Sequence, residues 1–200
     1  HQVASAGFNV FQAATNTGVK RIAWASSIEV YGDIREHPAL PVSEDSPLAP
    51  PGIYGAAKLL LERLACDYAR WHGLASAGFR LSRIIYDSET GRAKLRSLVA
   101  DEAFGFDCLW SYIDARDVGA ACLAWLESDL PGAEVFNLAA ADVHQKVATA
   151  DLLAAHGYSH LPSPSLADAR QTPFSTAKIR AMLNWRESYN WREIIGLRTA

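Results

Sequence analysis

Hydrophobic positions along the chain switch repeatedly between a helical and a strand period. In residues 3–17, Val3, Phe8, Val10, Phe11, Ala13 and Ala14 gather around one helix, and Gly18 follows as its C-terminal cap. Arg21 to Ser26 reads as a short buried strand. From Gly32 to Gly52 five prolines and several acids predict a loop. Ile53 to Trp71 is a long helix with Leu59, Leu60, Leu64, Ala65 and Tyr68 toward a core, ending at His72-Gly73. A second strand spans Gly78 to Ile85, and residues 92–104 are helical. Ala115 to Leu126 is another helix, closed by Pro131-Gly132, and Glu134 to Leu138 is a third strand. Small helices follow over Val147 to Ala155, Leu166 to Ala169 and Ser175 to Leu183, the last capped by Ser175.

Strands alternating with helices predict an α/β class with a doubly wound parallel sheet. Three strands are fewer than the roughly five or more of such sheets. The helix 3–17 has the place of a crossover's return limb, whose strand would lie before His1. The sheet is therefore read as N-terminally incomplete, and residues 1–200 as a single, partial domain. Composition narrows the partners. The 200 residues are half apolar and 20% charged, which argues against disorder or a fibrous class. A formal net charge of −3 argues against nucleic acid as partner. No apolar run approaches the roughly 18 residues of a membrane span. Cys66, Cys108 and Cys122, odd in number and widely spaced, read as buried thiols of a reducing compartment, hence a cytoplasmic protein.

The sharpest chemical signal is Pro51-Gly52-Ile53-Tyr54-Gly55-Ala56-Ala57-Lys58. It sets Tyr54 and Lys58 four apart, on one face of a helix start. An ammonium beside a phenol favours the phenolate, so this tyrosine can act as general acid or base on a hydroxyl or carbonyl. Upstream, the strand 21–26 runs into Ser26-Ser27. Catalytic groups collect at the carboxyl ends of parallel strands, so Ser27 is expected near Tyr54, holding the substrate oxygen. A Tyr-x-x-x-Lys spacing alone also describes a surface lysine one turn after a half-buried tyrosine. The order of strand, Ser-Ser, Val30-Tyr31-Gly32, proline-rich loop and Tyr-x-x-x-Lys favours chemistry.

This arrangement resembles the extended short-chain dehydrogenase/reductase family, the NAD-dependent epimerase/dehydratase group. Phe8-Asn9-Val10, Gly18 to Arg21, Ala25-Ser26-Ser27, Val30-Tyr31-Gly32, Glu44 to Pro47, Tyr54 to Lys58 and Glu62-Arg63 carry the likeness. Tyr112-Ile113-Asp114, Arg116-Asp117-Val118, Val135 to Leu138 and Ser175 to Trp185 continue it. The resemblance implies a Rossmann-like sheet with a small C-terminal substrate-binding portion, its substrate-side parts at about 84–111 and 140–190. It implies catalytic Ser27, Tyr54 and Lys58, NAD or NADP as cofactor, and cofactor contacts from Ala25, Ser26, Tyr54, Lys58 and Ser82. In such proteins Lys58 would hold the nicotinamide ribose, Tyr54 would exchange a proton, and Ser27 would orient the substrate oxygen.

Several positions depart from that pattern. The fingerprint G-x-x-G-x-x-G is absent: Gly52 and Gly55 form the only G-x-x-G, and no G-x-G occurs. By analogy roughly 60–80 front residues are missing. Arg83 replaces a usual asparagine, and Tyr86-Asp87 a usual Tyr-Gly. Arg83 can bind a substrate carboxylate or phosphate, or stand as a solvated strand-end charge. Trp110-Ser111 replaces a basic step, with Trp110 as a pocket wall, and the segment 87–110 is short. Both lean away from nucleotide sugars toward a smaller sugar, sugar acid or carbonyl compound. Val3 stands where a cofactor-contacting asparagine is common.

Weaker signals read more plainly. His156 and His160, four apart, could pair on a metal, but Gly157 lies between them and no nearby carboxylate in the sequence completes a site, so no metal is expected. Asp114, Arg116 and Asp117 read as a helix start with a local ion pair. Trp24, Trp125 and Trp185 read as core, and no G-x-S-x-G supports a hydrolase. The helix 53–71 is apolar on more than one face, which suits a homodimer. The expected function is an NAD(P)-dependent oxidoreductase or epimerase acting on a hydroxyl or carbonyl of a small sugar-like substrate. The rival is a catalytically silent fragment, or a dinucleotide-sensing or interaction module of the same fold.

Overall fold

A computed structural model describes residues 2–103, 105–161 and 169–197. Strands β1 (Arg21–Ser27), β2 (Ala75–Leu81) and β5 (Ala133–Leu138) form a parallel sheet in the order β1-β2-β5, with Ala23 opposite Ala77 and Phe79 opposite Phe136. Two helices, α1 (Gln2–Asn16) and α2 (Ile53–His72), cover one face. There Phe11, Leu61, Ala65 and Tyr68 pack with Ile22 and Trp24. The other face carries α4 (Ala115–Leu126) and α6 (Ala177–Leu183), where Trp125, Ile179 and Trp185 close on Ala77, Phe79 and Phe136. Alternation along the strands explains both layers: Ala75, Ala77 and Phe79 face α4, while Ser76, Gly78 and Arg80 fall on the opposite face. This is the Rossmann-like, doubly wound arrangement expected.

The expected strand over 78–85 is two strands. The amide and the hydroxyl of Ser82 both donate to the Leu138 carbonyl, at 3.1 and 3.2 Å, and the chain leaves the first sheet there. Strand β3 (Arg83–Ile85) then pairs in parallel with β4 (Tyr112–Asp114). The second strand also begins three residues early, because Ala75, Ser76 and Ala77 are buried despite their small apolar volume. The helix placed at 92–104 is α3 (Glu89–Ala100), started by Ser88, whose Oγ accepts from the Gly91 amide. Next come α5 (Thr149–Ala155) and, after α6, α7 (Trp191–Ile194). Ser175 is not the cap of α6: Thr176 holds that position and caps with no side-chain bond. The helix expected from Leu166 lies largely outside the described residues.

Of the three cysteines, Cys108 is buried and Cys122 half-buried. Cys66 is exposed on the outer side of α2, contrary to the expectation of a buried thiol; all three are free. No helix of the described residues is long and apolar enough to cross a membrane. Apolar side chains remain exposed on α2 at Ile53, Leu60 and Trp71.

After β1 the chain makes a 3-10 turn over Ile28–Tyr31 and reverses at Gly32, with φ +77° and ψ −144°. That backbone region belongs to glycine. A Cβ on Gly32 would also lie 2.0 Å from the Ala49 carbonyl oxygen, across the returning loop. Gly32→Ala is therefore expected to destabilise the protein by about 2 kcal/mol or more. Chemical denaturation would read the loss, and an unchanged midpoint would show that the loop yields.

Candidate active site

The carboxyl end of β1 is anchored by a buried polar network. Ser26 Oγ donates to Glu62 Oε1 at 2.6 Å. Arg80, on β2, grips the same carboxylate with Nε on Oε1 at 3.0 Å and Nη2 on Oε2 at 2.8 Å. Its Nη1 donates to Tyr31 Oη and to the Glu44 carbonyl. Tyr31 Oη donates onward to Asn137 Oδ1 at 2.6 Å, and Glu44 accepts from the Asn137 amide. Six segments, β1, the turn after it, the proline-rich loop, α2, β2 and β5, are thereby tied at one point. Burial pushes the Tyr31 phenol up to about 12 and raises the Glu44 carboxyl, so both resist ionisation there. Sequence reasoning missed this network. Tyr31, Glu44, Glu62 and Asn137 stand in the family-like motifs, but nothing local in the sequence ties them to Arg80.

Onto this frame the fold sets the residues expected to carry chemistry. Ser27 is buried; its Oγ accepts from the Glu29 amide, capping the 3-10 turn. With Gly32, Pro51, Ser82, Arg83 and Cys108 it lines a cavity of ≈ 390 Å³ at the carboxyl ends of β1 and β2. Ligand sites of open α/β sheets lie in that position. Lys58 Nζ donates to the Ala25 carbonyl at 2.6 Å and sits 5.4 Å from the centre of the Tyr54 ring. Partial burial holds the Lys58 ammonium below the usual lysine range. Tyr54 stands at the first turn of α2, 44% exposed, and is not among the residues that line the cavity. Ala25 and Lys58 border a separate apolar groove of ≈ 350 Å³ with Val3, Phe11, Trp24 and Leu61, beside the open edge of β1.

The remaining expected site residues divide. Ser82 reaches the cavity but spends its hydroxyl on Leu138. The Ser26 hydroxyl is committed to Glu62. Arg83 reaches the cavity wall, where Nη2 donates to both oxygens of Asp107, at 2.6 and 2.8 Å. Trp110 is not a pocket wall: it is 0% exposed, its indole N–H donates to the Glu102 carbonyl, and its ring meets His156 edge-on. An indole with a partner for its N–H gains more from burial than from facing water. At the α4 start, Asp114 accepts from the Arg116 amide and pairs with its guanidinium, while buried Asp117 accepts from the Ser188 and Tyr189 amides. No group of three or more candidate metal ligands assembles among the described residues.

Behind the Arg83 wall lies His144, fully buried, with neither ring nitrogen bonded among the described residues. Burial pushes its imidazole down to about 4, against 6.5 when unfolded. The unfolded chain thus binds the extra proton between those values, so stability is complete above pH 6.5 and falls as pH drops toward 4. The expected loss across that window is on the order of 2–3 kcal/mol. Followed from pH 7 to 4, the wild type should lose stability relative to His144→Leu by about that amount as the pH falls. A constant gap between them would refute the assignment.

Comparison with known proteins places this geometry. The UDP-glucose 4-epimerase of Azospirillum brasilense is 29% identical over 96 residues, 48% of this chain and 27% of that protein. The enzyme of that name from Corynebacterium glutamicum is 27% identical over 165 residues, 71% of this chain and 49% of its own length. The chain thus spans between about a quarter and a half of these curated relatives. In fold it is similar to a short-chain dehydrogenase/reductase superfamily protein of Agrobacterium tumefaciens with bound NAD: TM-score 0.66 and 22% identity, over 96% of this chain and 70% of that one. Residues 2–139 match the NAD dependent epimerase/dehydratase family along β1, the Tyr54–Lys58 helix start and the strands beyond, and the chain belongs to that family.

Proposed function

We propose that this chain carries the substrate and proton-transfer half of an NAD(P)-dependent oxidoreductase or epimerase acting on a hydroxyl or carbonyl of a small sugar-like compound. The observation that carries the reading is Lys58. Its ammonium is held on the Ala25 carbonyl of β1, one helical turn from Tyr54, while Ser27 opens into the adjacent cavity.

The residues present suit the nicotinamide end of a dinucleotide: the Lys58 cation adjoins the hydroxyl-bearing end of β1. Lys58, Ala25 and Tyr54 would hold that end. NAD or NADP, when bound, supplies the hydride acceptor or donor. The chain's own groups do the rest. Ser27 Oγ, already oriented by the Glu29 amide, donates to the substrate oxygen. Tyr54 Oη takes the hydroxyl proton in the oxidising direction and returns it in the reducing one. Lys58, charged beside the phenol, stabilises the deprotonated tyrosine.

The test is made on the full protein that carries this chain. Fluorescence titration with NADH and NADPH reads the cofactor, and nicotinamide absorbance with neutral sugars, sugar acids and nucleotide sugars reads the reaction. Net cofactor reduction marks a dehydrogenase. Product isomers without net reduction mark an epimerase. Absence of dinucleotide binding and of turnover in all of them overturns the reading.

A further inference from the structure

We infer that Arg83 is the docking point for a carboxylate on the substrate, and that Asp107 holds that place until the substrate arrives. The inference rests on the reading above and names the substrate class for the same cavity: small hydroxy or oxo acids of sugar type.

Arg83 stands on the wall between two cavities. One is the cavity it shares with Ser27; the other, ≈ 440 Å³, is lined by Lys94, Ser97, Ala103 and Gly105 as well. Asp107 borders both. The pair is lopsided. The Arg83 side chain is 21% exposed and that of Asp107 is 74% exposed, so the cation belongs to the protein and the anion to the solvent side. The contact is also a poor fit. Asp107 places both oxygens on the single nitrogen Nη2, leaving Nε of Arg83 buried and without a partner among the described residues. The same fold shows what a permanent partner looks like: Arg80 meets Glu62 with Nε and Nη2, one oxygen each.

A buried guanidinium donor left unpaired is unspent binding capacity, and a planar carboxylate using the Nε–Nη2 fork would claim it. Releasing Asp107 costs little, because an exposed carboxylate returns to water. Cys108 does not compete for Arg83 as a thiolate, since burial pushes its thiol up to about 11. With Ser27 on the same cavity, the acid group and the reacting hydroxyl of one small molecule have separate holders. Lys94, on the second cavity, adds a positive charge on the approach side.

Calorimetry on the full protein, with saturating reduced cofactor so that the hydroxyl is not oxidised, compares a hexuronate, its methyl ester and a hexose 6-phosphate. The hexuronate should bind roughly 10- to 100-fold more tightly than the ester. Arg83→Met should reduce the hexuronate to the affinity of the ester and leave the ester unchanged. Arg83→Lys, which keeps charge but loses the fork, should fall between. Asp107→Ala should tighten the hexuronate about 2- to 5-fold and leave the ester alone. Equal binding of acid and ester, equal weakening of both by Arg83→Met, or weaker acid binding in Asp107→Ala overturns the inference. Preference for the phosphate over the hexuronate overturns the carboxylate assignment. Because binding is read without turnover, these outcomes stand apart from the activity assay: turnover of neutral sugars with no gain of affinity for acids sinks this inference alone, and selective acid binding with no turnover sinks the reading above alone.

Discussion

Tyr54→Phe is expected to lower turnover of the full protein by roughly 10²–10⁴-fold, the range supplied by a positioned general acid or base. Tyr54 is the first-turn residue of α2 and keeps 44% of its surface exposed, so its hydroxyl contributes little to packing and the substitution should leave stability near that of the wild type. Lys58 Nζ is fixed on the Ala25 carbonyl rather than on Tyr54 itself, which leaves the phenolic oxygen available to a substrate. Loss should therefore fall on kcat while NADH or NADPH binding persists. Single-turnover absorbance measurements with saturating substrate would separate the two. Turnover within a few-fold of wild type would remove Tyr54 from the proposed proton path. Dinucleotide binding with full biological activity and no turnover in either protein would favour the sensing module over the enzyme.

Glu62→Ala is expected to cost about 3–5 kcal/mol of folding stability, because it strands the buried Arg80 guanidinium. Both side chains are nearly inaccessible, at 3% and 7% exposure. The loss corresponds to a fall in Tm of roughly 10 °C for a protein near this size. Replacing both partners, Glu62→Leu with Arg80→Met, should recover much of it, since two desolvated charges are removed together. Thermal and denaturant unfolding of the wild type, Glu62→Ala and the double variant would read both the loss and its recovery. A Glu62→Ala protein within about 1 kcal/mol of wild type would show that the network contributes little. The second expected consequence is functional: Ser26 and the turn after Ser27 lose their anchor, so substrate binding should weaken even at temperatures where the variant is folded.

Much of the fold is legible from period and punctuation alone. Val3 to Ala14 with Gly18, the helix from Ile53, and the helix Ala115 to Leu126 announce themselves by apolar spacing and by their caps. These are local properties, set by neighbours within about one turn. Strand boundaries are less legible. Ala75 to Ala77 carry too little apolar volume to mark a strand, and only the carbonyl of Leu138, distant in sequence, turns the chain at Ser82. The start of α3 shows the same limit, since several nearby hydroxyls could serve and Ser88 does, while Thr176 begins α6 with no side-chain bond.

The candidate site divides along the same line. The sequence by itself determined which residues share a face, Tyr54 with Lys58, and which strand ends in Ser26-Ser27, because helical and strand geometry relate residues at fixed offsets. Only the tertiary structure decided what those groups touch. It sent Ser26 to Glu62, Lys58 to Ala25, Trp110 into the core and Arg83 to Asp107. The physical reason is that charge pairing and burial depend on which distant segments the sheet brings together, and the partners here lie 24 to 36 residues apart in the chain.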